Sequence, residues 1–148
     1  MKEMIGKASK KVKNTVERGA VKKFAEAIGD VNPIYLDEEV GKNSRYGQNI
    51  APPTFARVFD YGIIEGLNLP NKGLIHGEQI YHYERPLLVG EDVYCYAQVS
   101  DYYEKSGAMG NMGFIVLENN GEDKDGNTIF TSKSIVILTE AYRKVQQV

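Results

Sequence analysis

Cys95 is the only cysteine among 148 residues, which excludes an intrachain disulfide and removes the usual mark of secretion. Histidine is nearly as scarce. His76 and His82 are the only two, and with a single thiol they cannot assemble an ordinary zinc site. Long apolar runs are missing as well. Charged residues interrupt each short apolar stretch near the N-terminus, so no secretory h-region forms, and nothing approaches the roughly 18 apolar residues of a membrane span. A soluble, cytoplasmic protein is the expectation. Nor is there an excess of positive charge: 18 Lys+Arg stand against 20 Asp+Glu, for a net charge of −2. A nucleic-acid interface, which needs a clearly basic face, is not expected.

What is present suits one domain. At this length, with 42% hydrophobic residues, the chain can bury roughly two-thirds of its unfolded surface, enough for a real core. Charge is unevenly spread. Residues 1–23 hold Lys2, Lys7, Lys10, Lys11, Lys13, Arg18, Lys22 and Lys23 against only Glu3 and Glu17. Residues 1–17 read as a solvated basic extension to a single domain over 1–148; an arm for an anionic partner, such as the phosphates of a carrier or coenzyme, is the alternative.

Val21, Phe24, Ala25 and Ile28 recur at i, i+3, i+4 and i+7, one face of an amphipathic helix that Gly29 stops. A polar, turn-rich stretch follows to Asn49, with a short helix expected near Asp37–Lys42. From Ala51 to Leu67, Pro52-Pro53 can open a helix, and Phe55, Val58, Phe59, Ile63, Ile64 and Leu67 would bury it. Thereafter the pattern is of strands. Leu74–Arg85 is rich in β-formers, Val93, Cys95, Ala97 and Val99 alternate with polar residues, and Met112–Glu118 and Thr128–Thr139 supply two more. The class is α+β: a long central helix wrapped by a curved antiparallel sheet, with an exposed edge that dimerisation would cover.

Three landmarks carry a resemblance. Ala27-Ile28-Gly29-Asp30-Val31-Asn32-Pro33-Ile34-Tyr35-Leu36-Asp37 resembles the motif of MaoC-like (R)-specific enoyl hydratases and dehydratases, where Gly-Asp-x-Asn-Pro ends a helix and a His follows two residues later. Ile50-Ala51-Pro52-Pro53-Thr54-Phe55 and Tyr81-His82-Tyr83-Glu84-Arg85-Pro86-Leu87-Leu88-Val89-Gly90-Glu91-Asp92 resemble the FAS1-type dehydratase N-terminal branch of that family. Together they span most of the chain in the family's order. The resemblance implies a hot-dog fold and a fatty acyl thioester as ligand, on coenzyme A or an acyl carrier protein.

In such a family an Asp and a His remove a proton from C2 of a (R)-3-hydroxyacyl thioester and give one to the departing hydroxyl. Backbone N–H groups at a helix start stabilise the charge gathering on the thioester oxygen. By resemblance, Asp30 matches the catalytic Asp, and Asn32, Pro53, Thr54 and Phe55 fall at the substrate, the last two near the oxyanion position. Tyr35 stands where the His belongs. A phenol of pKa about 10 is a poor base near neutrality, whereas imidazole titrates near 6.5. The dyad is therefore broken at Tyr35. Some relatives work as pairs of unlike hot dogs, one with the dyad and one without it that shapes the acyl tunnel; this chain resembles the second.

Each landmark also has a purely structural reading. Asp30 to Pro33 can be a cap and turn, Pro52-Pro53-Thr54 a helix start, and the strand tyrosines packing or dimer surface. Gly107, Gly110 and Gly113 lack dinucleotide-fingerprint spacing, and Asp123-Lys124-Asp125-Gly126 lacks the outer ligands of a calcium loop. His76-Gly77-Glu78 lacks the paired cysteines of a zinc deaminase. No metal or tightly bound cofactor is expected. The leading expectation is an acyl-binding subunit of a (R)-3-hydroxyacyl-thioester dehydratase or enoyl hydratase, heterodimeric with a dyad-bearing MaoC-like subunit. A self-sufficient homodimeric dehydratase using Asp30, and a non-catalytic acyl-thioester binder, are the alternatives.

Overall fold

The computed structural model describes residues 1–145. Its strands begin with β1 (Val12–Thr15), followed by β2 (Leu74–Tyr83), β3 (Asp92–Gly107), β4 (Gly110–Glu122) and β5 (Thr128–Leu138). They form one antiparallel sheet in the order β1-β3-β4-β5-β2. Alternation sets which residues face inward: Val93, Cys95 and Val99 of β3 are buried. Ser100 then sits in a bulge, since Val99 pairs with Leu117 and Asp101 with Val116. That extra residue shifts the phase by one, so Tyr102 turns inward and Asp101 stays at the surface.

Helix α1 (Arg18–Ile28) buries Val21 and Ala25, as its spacing predicts. It ends at Gly29 in the left-handed region (φ 72°), where the N–H of Gly29 donates to Glu26 O and that of Asp30 to Ala25 O. This is the Schellman closure, which glycine adopts without a Cβ penalty. Two short helices follow, α2 (Pro33–Leu36) and α3 (Glu38–Asn43). Helix α4 (Glu140–Val145) closes the described chain.

Two expectations need correction. The N-terminal segment is not a solvated extension. Met4 and Val16 are buried, β1 pairs with β3, and Gly6 N–H donates to Val99 O while Ser9 N–H donates to Ala97 O. Its lysines decorate an ordered sheet edge, as where Lys11 Nζ meets Glu122 Oε2 at 2.5 Å.

Nor does a long helix run from Ala51 to Leu67. Only Phe55–Val58 is helical, as a single 3-10 turn. Gly62 and Gly66 adopt φ +75° and +84°, outside helical space. The backbone that a helix would have satisfied finds other partners. Asn14 Oδ1 accepts from Asp60 N–H at 2.9 Å and its Nδ2 donates to Asp60 O at 2.8 Å. Ser9 Oγ donates to Tyr61 O at 2.5 Å. The chain lies so close that a Cβ on Gly62 would stand 2.9 Å from Lys10 O. Phe55, Ala56, Phe59 and Ile64 are buried nonetheless, while Ile63 is 86% exposed.

Two apolar clusters result. One joins Phe55, Phe59 and Phe130 to Val16, Val21 and Leu87; the other joins Met4 and Ile64 to Val99, Ile115 and Leu138. The N-terminal segment contributes to both.

Candidate active site

The site is assembled from the chain reversal after α1. Asn32 caps α2, its Oδ1 accepting from Ile34 N–H at 3.0 Å, with Pro33 in the first helical position. Asp37 closes α2 and opens α3: its N–H donates to Pro33 O, and its Oδ1 accepts from Glu39 and Val40 N–H at 2.9 and 3.2 Å. These caps hold α2 so that Tyr35 points inward, 9% exposed, while Asp30 remains at the surface.

The Tyr35 hydroxyl reaches back and donates to Asp30 Oδ2 at 3.4 Å, a long, weak contact. Burial pushes the phenol above its ordinary pKa, and the Asp30 carboxylate adds to this by its charge and by accepting the hydrogen bond. Tyr35 is therefore a protonated donor at neutral pH and has no capacity as a base there.

Tyr35 lines a cleft of about 370 Å³ with Ile50, Ala51, Pro53, Tyr83 and Leu87. Tyr83 donates from its hydroxyl to Pro53 O, tying β2 to the segment before the 3-10 turn. Its ring stacks on Tyr81 at 6.3 Å and leans on Phe130 at 5.5 Å. Desolvation raises its pKa far above the usual phenol value. Arg85, on the same wall, is neutralised by Glu91 through two contacts of 2.8 Å, and Glu91 Oε2 also accepts from Leu88 N–H.

Of the residues singled out in the sequence, Tyr35 and Pro53 share the wall of this cleft, and Asp30, which does not line it, is joined to Tyr35 by the hydrogen bond. Asn32 is occupied as a helix cap. Thr54 is exposed, and Phe55 is a core residue, 2% exposed, edge-on to Phe24 and Phe59. The Phe55 N–H donates to Pro52 O within the 3-10 turn. Both histidines lie on β2, His82 with Nε2 3.1 Å from Glu84 Oε1, and neither lines the cleft.

Sequence reasoning overlooked Asn49. It is 2% exposed; its Nδ2 donates to Ile34 O and Asp37 O, both at 2.8 Å, and its Oδ1 accepts from Arg18 Nη1 at 2.9 Å. One amide thus fixes α1, α2 and α3 against the cleft wall. Arg45 and Tyr46, at the cleft mouth, were also missed. Nothing in a lone polar residue within a turn-rich stretch marks it as buried or as pocket-lining.

The family model of the FAS1-like dehydratase domain region matches residues 3–132. The chain belongs to this family. It is 33% identical over 129 residues to the UPF0336 protein of Thermobifida fusca, covering 83% of this chain and 82% of that one. In fold it is similar to the C-terminally truncated HadBC (3R-hydroxyacyl-ACP dehydratase) complex from Mycobacterium tuberculosis. The TM-score is 0.78 at 19% identity, over 90% of this chain and 96% of that chain. The MaoC-like dehydratase from Rhodospirillum rubrum matches with TM-score 0.69 at 19% identity, over 91% and 92% of the two chains. The chain accordingly has a hot-dog fold. Among the described residues, no helix is long and apolar enough to cross a membrane.

Proposed function

We propose that this chain is the acyl-binding subunit of a (R)-3-hydroxyacyl-thioester dehydratase or enoyl-thioester hydratase, paired with a subunit that carries an Asp/His dyad. The observation that carries the reading is Tyr35. The reaction must take a proton from C2 and return one to the hydroxyl leaving C3 as water. The group in the His position here is a buried phenol held in its protonated form beside Asp30. It can orient the carboxylate or donate to an oxygen. It cannot alternate between base and acid near neutrality, and loss of such a partner costs on the order of 10²–10⁴ in rate.

Two features fit a paired role. The short 3-10 turn in place of a long helix leaves Ile63, Ile64, Leu67 and Leu69 bordering an open groove against Ala97 and Leu117, apolar walls suited to an alkyl chain. The outer strand β2, ten residues long, has a neighbour on one side only among the described residues, an edge that a second sheet can extend. The HadBC structure is a complex, and by analogy this chain would take the non-dyad place in one.

A second reading keeps the chain as an enzyme by itself, a homodimer using the exposed Asp30 carboxylate. The test is hydration of a trans-2-decenoyl thioester by the chain mixed with a dyad-bearing family subunit. The mixture is expected to exceed either component by at least about 100-fold. Full turnover by this chain alone would overturn the paired reading in favour of the second.

A further inference from the structure

The cleft lined by Tyr35 carries three charged side chains, Arg45, Glu84 and Arg85. Two are already engaged. Arg85 is in a fork-to-fork pair with Glu91, and Glu84 Oε1 lies 3.1 Å from His82 Nε2. Arg45 makes no ion pair among the described residues. Its guanidinium instead lies over the Tyr46 ring, 4.9 Å from the centroid, and Nη2 donates to the Tyr46 hydroxyl at 2.7 Å. Because Tyr46 O accepts from Arg45, the phenolic hydrogen is left to point elsewhere. The stack holds the planar fork in place, so little freedom is lost when it meets an anion. Cation and hydroxyl together form an oriented donor pair on the cleft wall, where Arg85 and Glu84 already have partners of their own.

We propose that Arg45, with the Tyr46 hydroxyl, binds the phosphate at the end of a pantetheine arm whose thioester lies in the cleft. This rests on the thioester reading above. The guanidinium fork matches phosphate geometry, and the apolar wall of Ile50, Ala51, Pro53 and Leu87 suits the uncharged arm. That phosphate is shared by coenzyme A, as part of its pyrophosphate, and by a carrier protein, as its phosphodiester.

The experiment measures binding of one acyl group, trans-2-decenoyl, on three carriers: pantetheine without phosphate, coenzyme A, and an acyl carrier protein. Wild type is expected to bind a phosphorylated form at least about ten-fold more tightly than the pantetheine form. Arg45→Gln should erase that advantage and leave pantetheine binding unchanged, while Arg45→Lys should keep part of it. Loss confined to coenzyme A or to the carrier protein identifies the source of the phosphate. Equal weakening of all three ligands by Arg45→Gln, or no weakening of any, would overturn the proposal. Failure of wild type to bind even the pantetheine thioester would overturn the thioester reading itself, and the Arg45 assignment with it.

Discussion

The Tyr35 hydroxyl lies 3.4 Å from Asp30 Oδ2, five residues back along the chain. The Schellman closure at Gly29 and the Asn32 cap make that meeting possible. It places a phenol at the position where the resemblance of the motif implies an imidazole. Replacing it should therefore be informative in both directions. Tyr35→Phe is expected to change hydration by the reconstituted complex by less than about three-fold, because no proton transfer passes through it. Tyr35→His should raise hydration by the isolated chain, by up to about 10² if the ring nitrogen reaches the carboxylate. Steady-state loss of the enoyl absorbance measures both.

Asn49 should prove a stability residue that also shapes the cleft. Asn49→Ala removes three hydrogen bonds at a buried position, to Ile34 O and Asp37 O and from Arg18 Nη1, although each carbonyl keeps a backbone donor, Ile50 N–H and Gly41 N–H respectively. A loss of about 3 kcal/mol is expected in urea denaturation, with the denaturant slope unchanged.

Gly62→Ala should destabilise by about 1–3 kcal/mol, since it forces a side chain into left-handed space and toward Lys10 O at 2.9 Å. Ile63→Ser, one residue on, removes a side chain that is 86% exposed and should lie within about 0.5 kcal/mol of wild type. Thermal unfolding of the two variants in parallel checks both.

Alkaline pH should unfold the protein. Burial raises the pKa of Tyr35, Tyr61, Tyr81 and Tyr83 above the usual phenol value, and pushes the Cys95 thiol up to about 12. These groups hold their protons more tightly folded than unfolded. Their contribution is complete below the unfolded values, near 8.5 for the thiol and 10 for the phenols, and is lost as pH climbs through the folded ones. The thermal midpoint is expected to be flat between pH 7 and 8 on this account and to fall from about pH 9 upward. The same burial should leave Cys95 unreactive to a thiol reagent at pH 8 until the chain is denatured.

The strands and α1 were legible because they rest on local periodicity. Val93 to Ser100 alternate, Val21 to Ile28 repeat at helical spacing, and Gly29 stops the helix, all of which the structure retains. The helix expected after Pro52-Pro53 shows where that reasoning fails. Of its apolar residues Phe55, Phe59 and Ile64 are buried while Val58 and Ile63 are exposed; Gly62 and Gly66 take positive φ, and Asn14 and Ser9 capture backbone groups from 46 and 52 residues away. Such a competition between local and distant partners is invisible in a window of sequence. The N-terminal strand was hidden for a related reason. Four residues among lysines carry too little alternation to signal a strand, and only the free edge of β3 makes Val12–Thr15 into one. At the site, Asp30 and Tyr35 stood out because a motif frames them, whereas Asn49 and Arg45 act through contacts that their neighbours in sequence do not announce.

The most direct measurement is hydration of a trans-2-decenoyl thioester by the purified chain without any partner, alongside its Asp30→Asn variant. Turnover at background for both is expected, because the protonated Tyr35 leaves the carboxylate without a proton-shuttling mate. Turnover by wild type that Asp30→Asn abolishes would contradict this, and would make the chain a dehydratase in its own right.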